Sequence, residues 1–261
     1  MRTIELAGHK VEIYDAIDML PITRFHKYQK YLLVDSGVGS DIQAFDQRVE
    51  KARRFMMAGQ TDKAIKEFEN LRQCVFMIQS EISPRHLAFA CLVKSIDGKE
   101  CGDLSDEGLR GVLDKFKDVT EGELTDRLDS VKKKIDGELM LYFPGLFADS
   151  SVKEYFDLMK KRALMILNNI IKGVDKPGET TEVERLTTEL ITYSKPESFT
   201  GSEGVEVQHD RQFENLCLAL SENLNVDPKG YTVLEFYNAF DFLKEKAKKT
   251  EKARKRGNFG R

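Results

Sequence analysis

The chain has 261 residues, 41% of them hydrophobic and 33% charged, enough apolar content to fold as one large or two smaller domains without metals or disulfides, which excludes wholesale disorder. Its formal net charge of -3 conceals an asymmetry, because residues 244–261 hold nine Lys or Arg against two Glu, a basic arm on an acidic body. No apolar run approaches ~18 residues, and acidic and apolar positions mix through the first twenty, so neither a membrane span nor a secretory signal is expected.

In chain order, Ile4 and Leu6 share one face with Val11 and Ile13 across a Gly8-containing turn, the pattern of a short β-hairpin over residues 3–14. A lone hairpin is marginal in water, so its apolar face must lie on a helix or its edge must pair with strands from another copy. After Pro21, the residues Phe25, Tyr28, Tyr31 and Leu32 have helical spacing over 22–34; the Gly pair of Asp35-Ser-Gly-Val-Gly-Ser-Asp41 ends that helix, and Ser40 or Asp41 caps the next. Residues 42–57 and 62–82 read as an antiparallel helical hairpin around Gly59, with Phe45, Val49, Ala52 and Phe55 facing Ala64, Ile65, Phe68, Leu71, Val75 and Ile78.

Pro84 opens a helix predicted to reach Lys94, Asp97-Gly98-Lys99 makes a turn, and a further helix spans about 106–116. Thr120 with Glu123, and Ser151 with Glu154, match capping boxes that head two long helices over 121–142 and 152–172. The aromatics of the apolar connection Tyr142-Phe-Pro-Gly-Leu-Phe147 are expected to be buried. Gly, Pro, Ser, Thr and Glu dominate 173–180 and 193–208 around a weakly packed helical stretch at 181–192, the composition of a flexible linker. The last unit pairs a helix at 210–224, striped by Phe213, Leu216, Cys217, Leu220 and Leu224, with one starting after Thr232 and striped by Val233, Phe236, Tyr237, Phe240 and Leu243. Thr232 with Glu235 is a third capping box. The expected fold is mainly α: a β-hairpin at 1–20, a helical bundle at 21–173, a linker with a short helix at 174–209, and a C-terminal helix-turn-helix pair with its basic arm at 210–261.

Four motifs invite chemistry, and each has a plainer explanation. Ala52 to Phe68 looks like one tetratricopeptide unit, but no second copy follows at the ~34-residue period. The G-x-G of residues 37–39 lacks a third Gly, a P-loop Lys and a preceding strand. Asn225 to Phe236 has the Gly of a calcium loop at its sixth position, yet Lys229 stands where an oxygen ligand is needed and Glu235 comes one residue early. His9, His26, His86 and His209 are scattered, without a second His or a Cys at metal-ligand spacing, and Asp103 with Asp106 or Asp126 with Asp129 read as solvated helix faces. Cys74, Cys91, Cys101 and Cys217 form no C-x-x-C pair and read as reduced core thiols of a cytosolic protein. No catalytic, metal or cofactor residue is assigned, and the chain reads as a non-enzyme.

The hairpin Thr3–Tyr14, the Arg24-Phe-His-Lys-Tyr-Gln-Lys-Tyr31 helix with the Asp35–Asp41 loop, and the Thr232-Val-Leu-Glu-Phe-Tyr237 helix with its charged tail cover about half the chain. In these features it resembles tailed-bacteriophage structural and assembly proteins. That resemblance implies a neck or tail ring subunit, with a tail-assembly chaperone as the alternative, found in the virion or the host cytoplasm. Its partners would be other phage structural proteins or copies of itself. The contact residues assigned on this reading are Ile4, Leu6, Val11, Ile13, Phe236, Tyr237 and Phe240. The basic arm, Lys248, Lys249, Lys252, Arg254, Lys255, Arg256 and Arg261, carries a second alternative, salt-sensitive and non-specific binding of nucleic acid.

Overall fold

Two backbone turns set the sheet. Ala7 and Gly8 both have positive φ, 51° and 76°, and Asp97 and Gly98 repeat this at 50° and 79°, the backbone signature of tight two-residue hairpins whose twist matches the flanking strands. The computed structural model, which describes residues 1–147, 151–193 and 195–258, and side chains for all of these but 121, 147, 151–156, 192–193 and 250–258, thus has two hairpins. Strands β1 (Arg2–Leu6) and β2 (His9–Ile13) pair with Ile4 opposite Val11, and β3 (Val93–Ile96) and β4 (Lys99–Glu100) extend the antiparallel sheet in the order β1-β2-β3-β4. Asp97 locks the two hairpins together: its carboxylate accepts from His9 Nδ1 at 2.6 Å and from the Lys10 N–H at 2.9 Å. The edge of β2 is therefore filled by this chain's own β3, not by another copy. The helix predicted to reach Lys94 stops at Leu92, because Val93 and Ser95 turn inward with the period of a strand.

Eleven helices are seen among the described residues, and with 69% helix the fold is mainly α. They are α1 (Ile22–Gly37), α2 (Ile42–Met57), α3 (Thr61–Gln79), α4 (Pro84–Leu92), α5 (Asp106–Leu113), α6 (Glu121–Tyr142), α7 (Pro144–Phe147), α8 (Ser151–Ile171), α9 (Thr181–Tyr193), α10 (Val205–Leu224) and α11 (Val233–Asn258). Caps behave as the side-chain chemistry dictates. Asp41 accepts from the Ala44 N–H, Thr120 from the Glu123 N–H, and Thr232 and Glu235 complete a reciprocal box. The side chains of the Ser151–Glu154 pair lie outside the described residues.

The chain forms two compact units that do not follow the linear division read from the sequence. One comprises Met1–Asp35, Ser83–Phe143 and Glu206–Arg261, the other Ser36–Ile82 and Pro144–Val205. In the first, the beginning and the end of the chain are stitched together: the Ile22 N–H donates to Tyr231 O at 2.9 Å, and the Val233 N–H donates to Leu20 O at 2.9 Å. Neither a hairpin ending at residue 20 nor a C-terminal pair starting at 210 stands as a separate body, since these backbone bonds make them one. The interior of this unit holds the sheet residues Ile4, Leu6, Val11 and Ile13 with Phe25, Phe89, Phe116 and Phe236. Phe143 is buried there, whereas Tyr142 is exposed, contrary to the expectation that all the aromatics of that connection are covered.

Arg24, buried on α1, is the polar centre of this unit. Its guanidinium donates to Cys91 O and Val93 O at 3.0 Å each, and to Cys101 O. Those first two carbonyls belong to the end of α4 and the start of β3, where a helix leaves C=O groups without partners and its dipole favours a cation.

In the second unit, α3 packs on α2, α2 on α9, and α9 on α8. The stretch at 181–192 is thus a packed helix instead of part of a linker: Val183 and Leu186 of α9 are fully buried, and Arg54 of α2 bonds to Glu184 at 2.7 Å. Its polar centre is Arg48, only 7% exposed, paired at 2.9 Å with the 2% exposed Glu67 of α3 and donating to Val38 O and Ser36 O.

Two stability outcomes follow. Replacing Arg24 by Met leaves buried carbonyls unpaired and should lower unfolding free energy by about 3 kcal/mol, read by chemical denaturation, with Arg24→Lys intermediate. Glu67→Leu alone strands the Arg48 charge and should cost about 3–5 kcal/mol. Adding Arg48→Met removes that charge but leaves the Val38 and Ser36 carbonyls without their donor, so the double variant should recover only part of the loss; an additive double variant would contradict that coupling.

Candidate functional site

The residues marked as contact surface are mostly interior. Ile4, Leu6, Val11, Ile13 and Phe236 are 7% exposed or less, so their apolar faces are covered within the chain and cannot meet a partner. Tyr237 and Phe240 are half-buried; Tyr237 sits between Phe143 and Phe236, with ring centroids 5.6 Å away in each case, and burial pushes its hydroxyl pKa up to about 12. Along α11 the helix continues through the basic arm, with Lys248 and Lys249 exposed and Lys248 bonded to Glu245 at 2.7 Å. The side chains of Lys252, Arg254, Lys255 and Arg256, and all of Arg261, lie outside the described residues.

Sequence reasoning did not pair His26 with His209. His26 of α1 lies between His209 and Phe213 of α10, with centroids 4.3 Å and 4.1 Å away and planes within 13° of parallel. Its Nε2 bonds to Asp210 Oδ1 at 2.9 Å, Lys30 Nζ bonds to the other oxygen at 2.7 Å, and His209 Nε2 donates to the His26 carbonyl. The spacings were legible, since His26 with Lys30 and His209 with Phe213 are each four residues apart on a helix. Their meeting, across more than 180 residues of sequence, was not.

These side chains border a shallow cleft of about 420 Å³ with Thr23, Lys27, Glu214 and Lys229. Its charges are matched in pairs: Lys27 with Asp106, Lys30 with Asp210, and Lys229 with Glu214. Burial lowers the His26 pKa, and nearby His209 adds to this against the opposing bond to Asp210. Burial acts to raise Asp210, but hydrogen bonds from Lys30 and His26 outweigh it and hold this carboxyl below its usual range. With every cation already held by a carboxylate, the arrangement acts as a clamp between α1 and α10.

The second unit presents a different surface. On α3 the buried side chains are Ala64, Glu67, Asn70 and Cys74, whereas Ile65, Phe68, Val75 and Phe76 are 37–55% exposed. The helical hairpin exists as read, but Ile65, Phe68 and Val75, expected to face α2, point to solvent. On α8, at the other end of the helix row, Leu164, Leu167, Ile170 and Ile171 are exposed as well. Scattered exposed apolar residues are ordinary, but contiguous stripes of this kind mark contact surfaces.

The clamp generates a pH outcome. Folded His26 takes up a proton less readily than it does in the unfolded chain, so stability is present above the ordinary value of 6.5 and falls as pH drops below it. His26→Gln, which keeps a donor toward Asp210 but does not titrate, should flatten the drop in Tm between about pH 7 and pH 5; an unchanged slope would assign that drop elsewhere.

No known protein family, no curated protein and no solved structure matches this chain.

Proposed function

We propose that this protein is a non-enzymatic assembly subunit that works through protein–protein contacts, of the neck or tail ring kind found in tailed bacteriophages. One observation carries the contact reading: the two edge helices of the second unit, α3 and α8, turn large apolar side chains to solvent. Leaving Phe68, Phe76, Leu164 and Ile171 half or more exposed forgoes a corresponding share of the roughly 1.5–3 kcal/mol that full burial of each such side chain returns, and a neighbouring subunit recovers that share on docking. The phage origin rests on the resemblance of the hairpin, the α1 segment and the α11 segment.

The same helices favour a second reading, a tail-assembly chaperone, because exposed apolar stripes on separate helices also suit transient cover for the apolar segments of a client. The two are told apart by where the protein ends up. A ring subunit is recovered from purified particles at a fixed copy number by mass spectrometry. A chaperone is abundant in infected cells and missing from the particles. In either case the double variant Leu164→Glu with Leu167→Glu should keep its helical content and lower particle yield by roughly tenfold or more; normal yield would count against contacts through α8.

A further inference from the structure

We infer that the outer face of α3 is the contact between two copies of this chain, packed antiparallel about a two-fold axis. This rests on the proposed assembly role and names one partner for it. The inference starts from a reversal: α3 buries a carboxylate, an amide and small side chains, and exposes two phenylalanines, an isoleucine and a valine. A helix whose larger apolar stripe faces outward lacks the cover that its side chains call for.

The charges on that face favour a second copy as the cover. Glu69 and Arg72 are exposed between the two apolar ends of the stripe, and among the described residues neither is held by a partner within its own chain. A two-fold axis passing between them sets Glu69 of each copy beside Arg72 of the other, forming two ion pairs from one sequence. The same register puts Ile65 opposite Val75 and Phe76, and Phe68 against the aliphatic stem of Arg72. A groove of about 580 Å³ opens beside Phe76, bordered by Arg72, Gln73 and Thr200, where Ile65 of the other copy arrives. An isologous contact requires one patch to complement itself, and this one does so in both charge and apolarity.

Sedimentation velocity of the full chain across the micromolar range tests this. The wild-type protein should form a dimer, and Phe68→Glu should disperse it, whereas Leu218→Glu on the exposed face of α10 should not. E69R and R72E should each weaken association by roughly tenfold, through like charges brought together. Mixed one to one, they should form a heterodimer, because one copy then carries two arginines and the other two glutamates. Circular dichroism confirms that each variant stays helical.

A wild-type chain that is monomeric throughout, or a mixture no better associated than its components, would overturn the inference. Dispersal by Leu167→Glu as well would mean an α3-to-α8 contact and would overturn it too. A monomer that still binds other particle components would leave the assembly role standing and remove only this contact.

Discussion

A buried guanidinium satisfied by backbone carbonyls holds each unit together. Arg24 meets the carbonyls where α4 gives way to β3, and this lets a helix end inside the protein, where orphan C=O groups would otherwise be costly. With the helix ended at Leu92, the next residues are free to extend as β3, pair with β2 and complete the sheet. Arg48 does the corresponding work in the second unit, holding the carbonyls of Ser36 and Val38 while its charge is matched by Glu67. In both cases a planar group with five donors suits several acceptors in fixed positions, a geometry lysine cannot reproduce.

Local patterns in the sequence were reliable guides to local structure. The hairpin turn, the start of α4 at Pro84, the Asp41, Thr120 and Thr232 caps, and the paired helices around Gly59 all depend on residues within a few positions of one another. β3 and β4 escaped because β4 has only two residues, and Asp97-Gly98 serves a turn of any kind until Lys10 and His9 are seen bonded to Asp97. The linker reading of 174–209 failed for a related reason. The flanks of α9 are polar and Gly-rich, but Val183 and Leu186 are buried in a helix that packs on α2, far earlier in the sequence, as well as on neighbouring α8.

The site was less legible than the fold, since an apolar stripe does not say whether its cover comes from the same chain or another. Ile4, Leu6, Val11, Ile13 and Phe236 looked like contact residues and found their cover inside the chain. Ile65, Phe68 and Val75 looked like hairpin core and did not. Their buried counterparts Ala64, Glu67 and Cys74 stand one position earlier, which in a helix is a rotation of about 100°. Two stripes that close cannot be ranked by hydrophobicity alone, because the more apolar of them lost.

Glu67 explains which one won. Turning α3 to bury Phe68 would carry Glu67 away from Arg48 and leave a guanidinium, already fixed by Val38 O and Ser36 O, without its counter-charge. An unpaired buried charge costs about 3–5 kcal/mol, which already offsets what covering the remaining exposed parts of Ile65, Phe68 and Val75 would return at roughly 1.5–3 kcal/mol per fully buried side chain. Rotation would also free the Asn70 side chain from Glu197 O. The pair that stabilises the interior of the second unit thereby holds Ile65, Phe68 and Val75 outward, so its core and its candidate contact surface follow from the same constraint.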